Sequence, residues 1–233
     1  MSTPMDHVDA SSPLTVVLVG ASGLVGRQLL RQLLADPAVG EVRALLRRPL
    51  TPAGLTGSDR MPGLEKLRVQ VHDFDQLAEA PELMRGADWF VCALGTTIRQ
   101  AGSREAFRRV DHDYPLILAR MAREAGVRAV GVVSAVGADA SSLFFYNRVK
   151  GDLENALRGL NLPHVTVAHP SLLAGDRSEF RWGERLGLVL GFLMPESHKP
   201  VQAWQVAAGI LRSLHEGRPG WQVCNNTQLR AMR

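Results

Sequence analysis

The chain has little of what would build a metal or disulfide framework. Its two cysteines, Cys92 and Cys224, stand in no CxxC and no Cys/His cluster, which removes both frameworks. Cys92 lies in an apolar run and reads as a reduced core residue. The seven histidines show no HxxxH or HExxH spacing, so neither a metal site nor a zinc enzyme is expected. Long apolar runs are also missing. The longest candidate, Leu186 to Met194, falls well short of the roughly 18 residues a bilayer span needs, so no integral membrane association is expected. Met1 to Pro13 lacks the basic start and apolar middle of a secretory signal and reads as a flexible tail. From these absences a cytoplasmic location is expected. Dense positive charge is absent too. The net charge is +4 and the arginine pairs are Arg47–Arg48 and Arg108–Arg109, which argues against nucleic acid as a partner. No GxSxG elbow occurs, which removes the common serine-hydrolase arrangement.

What the chain does have is an ordinary globular composition, 45% hydrophobic and 21% charged, and a regular alternation of strand-like and helix-like segments. Strands are expected at Leu14–Val19, Glu41–Leu46, Leu67–His72, Ala87–Leu94, Val127–Ser134 and His164–His169. Helices are expected at Gly23–Ala35, Phe74–Met84, Arg104–Ala125 (with Pro115 inside it) and Leu143–Arg158, the last capped by Ser141 or Ser142. Residues 49–63, rich in Pro, Gly, Thr and Ser, read as a loop. This order predicts an α/β fold with a doubly wound parallel sheet of the Rossmann type. Residues 14–233 are expected to form one dinucleotide-binding domain. Within it, 175–233, with apolar helical stretches at 184–193 and 202–215, reads as a small helical cap on the substrate side.

The strongest local signal is Val16 to Gly26, a strand, a glycine turn and a helix start. Gly20 allows the tight turn off the strand. Gly23 lets the backbone approach a pyrophosphate, and Gly26 lets the helix pack closely on the sheet. With Ala21, Ser22, Leu24 and Val25 they form a loop whose exposed N–H groups and helix dipole suit phosphate charge. A site preferring NAD(H) places a carboxylate about 20 residues farther on, to hold a ribose 2′-hydroxyl. Arg47 and Arg48 stand there instead, and guanidiniums suit a 2′-phosphate. The expected cofactor is therefore NADP(H), with NAD(H) as the alternative. Either arginine could make the contact.

A second constellation lies farther along. Tyr146 and Lys150 are four positions apart, hence on one helix face. Ser134 ends a strand twelve positions before Tyr146, at the sheet edge where ligands sit in open α/β folds. Reducing a carbonyl needs a proton donor at the oxygen. A phenol beside an ammonium can serve, and a seryl hydroxyl can fix the substrate oxygen. Tyr146 is thus the expected acid/base, Lys150 its activator and ribose anchor, and Ser134 the oxygen positioner. Only two tyrosines occur in the chain, which adds weight to the placement of this one.

Together Gly20-Ala21-Ser22-Gly23-Leu24-Val25-Gly26, Ser134 and Tyr146-x-x-x-Lys150 resemble the short-chain dehydrogenase/reductase superfamily. More narrowly they resemble its atypical Tat-interactive-protein-like subgroup, which is NAD(P)H-binding and NmrA- or epimerase-like. Cys92 to Thr97, Val110 to Tyr114, Ser134 to Asp139 and His169 to Leu173 carry the same likeness. The resemblance implies that Asp73 and Phe74 lie near an adenine, and that Ala93, Leu94, Gly95 and Thr96 line the ribose and nicotinamide. It also implies that Pro170, Ser171, Leu172 and Leu173 pack near the nicotinamide. Many members carry an Asn, supporting a proton relay, where this chain has Asp111. The implied function is hydride transfer between NADPH and a small carbonyl or alcohol. The alternatives are a catalytically silent NADP(H)-sensing protein and, lower in rank, a sugar-nucleotide epimerase or dehydratase. Monomer and homodimer both remain open.

Overall fold

The first strand of the chain already shows how the molecule is layered. In β1 (Leu14–Val19) Val16 and Leu18 enter one buried cluster, while Val17 and Val19 enter another on the opposite face. Side chains alternate across a strand, so a strand apolar at both parities must be covered on both sides. The computed structural model describes residues 12–58, 60–174 and 198–233. Its main sheet is seven-stranded, in the order β3-β2-β1-β4-β5-β6-β9. The further strands of this sheet are β2 (Val39–Leu46), β3 (Leu67–Val71), β4 (Trp89–Cys92), β5 (Ala129–Val133), β6 (His164–Ala168) and β9 (Gly220–Cys224). Every neighbouring pair is parallel. The expected doubly wound parallel fold is thus what the chain adopts.

One face of the sheet is covered by α1 (Leu24–Ala35) and α7 (Ala203–Glu216), which bury Leu29, Leu30, Leu33, Ile210 and Leu214 in a single cluster. The other is covered by α5 (Tyr114–Glu124) and α6 (Phe145–Arg158), through Leu118, Ala119, Leu153 and Leu157. The strand order reverses between β1 and β4. The loops that leave those two strands part there and open a crevice at their carboxyl ends, the usual ligand position in such sheets.

Several elements differ from expectation, each for a local reason. Residues 49–63 contain a short helix, α2 (Pro52–Thr56). Thr51 caps it by accepting from Gly54 N–H, and Pro at the helix start costs no hydrogen bond there. Phe74–Met84 is two 3₁₀ segments, Phe74–Glu79 and Pro81–Met84, divided before Pro81. After α3 (Ile98–Ala101), the expected helix 104–125 is α4 (Arg104–Arg108) and α5, joined by a π-turn at Arg109–Asp113. Pro115 lies in the first turn of α5, where its missing N–H is tolerated. Ser141 and Ser142 do not cap α6. Ser142 Oγ accepts from Phe144 N–H and Ser141 bonds Asp139, so both serve the preceding turn.

The segment expected to form the cap, 175–233, is described only from residue 198, and the apolar stretch 184–193 lies outside the described residues. Where it is described, it joins the main body. After a small pair, β7 (Leu173–Ala174) with β8 (Val201–Gln202), α7 packs on the sheet and β9 becomes its last strand, followed by α8 (Asn226–Arg230). The sequence of β9 hides this role. It is a partly exposed edge strand without a continuous apolar run. The expected N-terminal tail lies outside the described residues up to residue 11.

Candidate active site

The glycine loop fills one end of the crevice. Gly20 has φ +82, a conformation that L side chains avoid. A Cβ on it would also lie 2.5 Å from the carbonyl carbon and oxygen of Ala93, so it fixes how closely β1 meets the end of β4. Gly26 is required by contact alone, because a Cβ there would stand 1.9 Å from Gly20 O. Gly23 differs from both. Its φ is −77, and the nearest atom to an added Cβ is Gly20 O at 3.4 Å. The protein itself does not demand a glycine there; a ligand's phosphate lying against the backbone would. Ala21, Val25 and Gly26 face the core, while Ser22, Gly23 and Leu24 reach the surface. No side chain caps α1 and no acid sits in its first turn, which leaves the start of the helix suited to an anion.

Farther along the same edge, Arg47 and Arg48 follow β2 and are exposed. With Val71, His72, Asp73, Phe74, Asp75 and Tyr114 they line a cleft of about 380 Å³. Among the described residues neither arginine forms an ion pair or hydrogen bond. Asp73 and Phe74, which the resemblance sets near an adenine, line this cleft with the arginines. The Phe74 ring, however, is buried edge-on against Tyr114 at 5.4 Å. Tyr114 donates to Asp75 at 2.6 Å, and burial together with that carboxylate pushes its phenol up to about 12. His72 joins this cleft without having been expected there, since strand periodicity carries no signal for it.

At the other end, Tyr146 is 40% exposed on the first turn of α6, and its ring lies 5.8 Å from the fully buried Phe107. Lys150, one turn later, is buried. Its Nζ stands 2.8 Å from Asp111 Oδ1, and both side chains are almost wholly covered. Asp111 lies on the π-turn, and its Oδ2 accepts from Thr96 N–H at 2.9 Å. The wide turn thus turns a carboxylate inward between the end of β4 and α6. Burial opposes the charge on Lys150, but Asp111 and the nearby Tyr146 and Cys92 outweigh it and hold its pKa above the ordinary lysine value. The Cys92 thiol is pushed up to about 11, mainly by burial. Of the run Ala93, Leu94, Gly95 and Thr96, the first two lie against Gly20 and the last two against this carboxylate. Gly95 keeps a would-be Cβ 3.7 Å from Asp111 Oδ1.

Ser134 does not join Tyr146 and Lys150 as expected. Its side chain is buried, and its hydroxyl donates to Glu154 Oε1 at 2.5 Å. His169 Nε2 reaches the same oxygen at 2.8 Å. The proton meant for a substrate oxygen is committed to a buried carboxylate one turn past Lys150. Glu154 was missed, although the i+4 stripe Tyr146, Lys150, Glu154, Arg158 announces it. Gly151 was missed too. A Cβ there would stand 2.2 Å from Ala140 N, so it lets the loop after β5 lie directly on α6. Pro170 O accepts from Val136 N–H, which ties the loops after β5 and β6 together. Ser171 is held by Asn226 and by the carbonyl of Lys199, so the stretch Pro170 to Leu173 is anchored to the C-terminal segment. Leu172 remains exposed.

A sequence profile of a family described as NAD(P)H-binding matches residues 20–216. The chain belongs to the NAD(P)H-binding family. Within it, the relatives are of the atypical short-chain dehydrogenase/reductase kind that the motifs resembled. The protein HTATIP2 of Rattus norvegicus is 35% identical over 78% of this chain and 72% of its own length. The protein fmp52, mitochondrial, of Emericella nidulans is 32% identical over 84% of this chain and 83% of its own. Among solved structures, an oxidoreductase of the short chain dehydrogenase/reductase family from Burkholderia thailandensis superposes with a TM-score of 0.69. It is 20% identical and covers 96% of this chain and 95% of its own. DesIV, a dTDP-glucose 4,6-dehydratase from Streptomyces venezuelae with NAD and TYD bound, gives 0.70 at 20% identity, covering 90% of this chain and 74% of its own. At that identity the likeness is one of fold. The expected cytoplasmic location is corrected here, because the fungal relatives of this NAD(P)H-binding chain are named as mitochondrial.

Proposed function

We propose that the chain is an NADP(H)-dependent oxidoreductase that moves hydride between NADPH and a carbonyl or alcohol substrate. The observation that carries this reading is the half-exposed Tyr146 set one helical turn before a buried, charged Lys150, at the end of the crevice opposite the glycine loop. When bound, the nicotinamide supplies or takes the hydride. The protein's own part is to hold a phosphate at the start of α1 and a ribose near Lys150. Tyr146 gives a proton to the substrate oxygen, or removes one. Arg47 and Arg48, with no partner among the described residues, are the groups for a 2′-phosphate, which is why NADP(H) is preferred to NAD(H) in this reading. The exposed Leu143 and Phe144, just before Tyr146 in the chain, are the apolar surface this reading offers to a small-molecule substrate.

The test is NADPH consumption by the wild-type protein across a panel of aldehydes and ketones. Turnover with at least one of them is expected. Tight NADPH binding with no turnover on any would end the enzyme reading. One observation favours that second reading, a catalytically silent NADP(H)-binding protein. The hydroxyl of Ser134 is committed to Glu154, so the substrate oxygen has one donor fewer.

A further inference from the structure

The two outer edges of the main sheet are finished differently. β3 closes one side and β9 the other. An unpaired strand edge is a row of free N–H and C=O groups, and proteins blunt it with charge, proline or a bulge. Along a strand, alternate residues turn both main-chain groups to the same side. In β3, His72 N–H donates to Leu46 O, so Leu67 turns outward, and the Arg68 guanidinium folds onto Leu67 O at 3.1 Å. That edge is blunted by charge. In β9, Gly220 N–H donates to Pro163 O and Cys224 O accepts from His169 N–H, so Gly220, Gln222 and Cys224 face β6. Trp221 and Val223 therefore point their N–H and C=O groups away from the sheet. Among the described residues no main-chain hydrogen bond is made to them there. The strand holds no charge and no proline, pairs with β6 without a bulge, and leaves Val223 exposed.

A cleft of about 340 Å³ adjoins this strand, with Gln222, Val223 and Cys224 in its wall. Two more of its lining residues, Arg212 and Arg218, share the single carboxylate of Glu216, at 3.1 and 3.4 Å, and both guanidiniums are largely exposed. Residues 217–233 carry Arg218, Arg230 and Arg233 and no Asp or Glu. A second copy of the chain docking by this edge would bring positive charge against positive charge. An acidic segment would meet its complement. We propose that the outer edge of β9 is a docking strand for an extended acidic segment of a partner protein, which joins the sheet through Trp221 and Val223 and sets its carboxylates toward Arg212 and Arg218. In such an arrangement main-chain bonds supply affinity and side-chain contacts supply the choice of sequence. None of these residues is assigned to cofactor binding or proton transfer, so the docking strand stands apart from the oxidoreductase reading.

The test uses the full chain and a short peptide, blocked at both ends, of alternating valine and glutamate. Binding with a Kd of about 1 mM or tighter is expected. Amide hydrogen exchange, followed by NMR, should slow at least about tenfold at Trp221 and Val223, while Gln222 and Cys224, already paired with β6, stay unchanged. The same peptide with lysine in place of glutamate should bind at least about tenfold more weakly, and so should the glutamate peptide to Arg212→Ala/Arg218→Ala. Val223→Pro removes one outward N–H and no bond to β6, so it should fold and lose the peptide. If it does not fold by circular dichroism, a glutamate peptide N-methylated at alternate residues replaces it. That peptide cannot donate to a strand edge and should not bind the wild type. The proposal is overturned by no binding of the glutamate peptide, or by binding that survives the lost N–H or the exchange to lysine. It is overturned as well if exchange at Trp221 and Val223 slows with rising protein concentration and no peptide, since a second copy then holds the edge.

Discussion

The two ends of the crevice are built by different means. The glycine loop is a backbone device. Gly20 and Gly26 are fixed by φ and by contact with main-chain atoms no more than a few residues or one strand away. The end at Tyr146 is a side-chain device. It depends on Asp111, on a π-turn, meeting Lys150 on a helix 39 positions later, and on Ser134 meeting Glu154 twenty positions later. The first kind of site admits no Cβ at Gly20 or Gly26. The second admits no unbalanced buried charge.

Breaking the pair Asp111–Lys150 should produce the largest effect. Lys150→Met leaves a buried carboxylate without its cation and should destabilise the protein by about 3–5 kcal/mol in urea unfolding. Adding Asp111→Asn should restore most of that loss. A double variant as unstable as the single one would show that the pair is not a balanced unit. The pH dependence has a definite sign. The folded pKa of Lys150 lies above its ordinary 10.5, so its contribution is complete below that pH and is lost as pH rises through the folded value. Urea midpoints in Lys150→Met should lack this alkaline component.

Gly26→Ala comes next. The added Cβ meets Gly20 O at 1.9 Å, and main chain cannot step aside as a flexible side chain can. A loss of about 3 kcal/mol, or roughly 6–12 °C in thermal midpoint, is expected. Gly23→Ala is the contrast that sharpens the comparison. It should keep the thermal midpoint within about 2 °C yet weaken NADPH binding, because only a ligand needs that space. Equal losses of stability at the two positions would erase the distinction drawn between them.

The Arg47→Ala/Arg48→Ala variant tests the cleft at the end of β2 and should show the smallest change. A charge-assisted contact to a 2′-phosphate contributes about 1.5–3 kcal/mol. NADPH affinity should therefore fall roughly tenfold to a hundredfold while NADH affinity stays the same. Equal wild-type affinities for the two cofactors would remove the 2′-phosphate from the account.

The same contrast explains what could be read from the sequence. Strand and helix order, the glycine spacing and the pairing of Tyr146 with Lys150 are local periodicities, and they were legible. The partner of Ser134, the inward turn of Asp111 and the strand role of Gly220–Cys224 arise from contacts between distant segments, and no local pattern records them. Pro115 marked a break in a helix but not its kind. A π-turn, which aims Asp111 at Lys150, looks the same in sequence as a simple interruption. Ser134 shows the cost of reading a residue by position alone. Its place at the strand end was right, but its proton goes to the interior.

The most direct test measures NADPH affinity and NADPH consumption side by side in the wild type and in Tyr146→Phe, with a carbonyl that the wild type reduces. Removing a positioned acid should lower turnover at least about a hundredfold. Affinity, set mainly at the glycine loop and the arginines, should stay within about threefold. Turnover that survives in Tyr146→Phe while binding is intact would contradict the assignment of Tyr146 as the proton donor and, with it, the account of this end of the crevice.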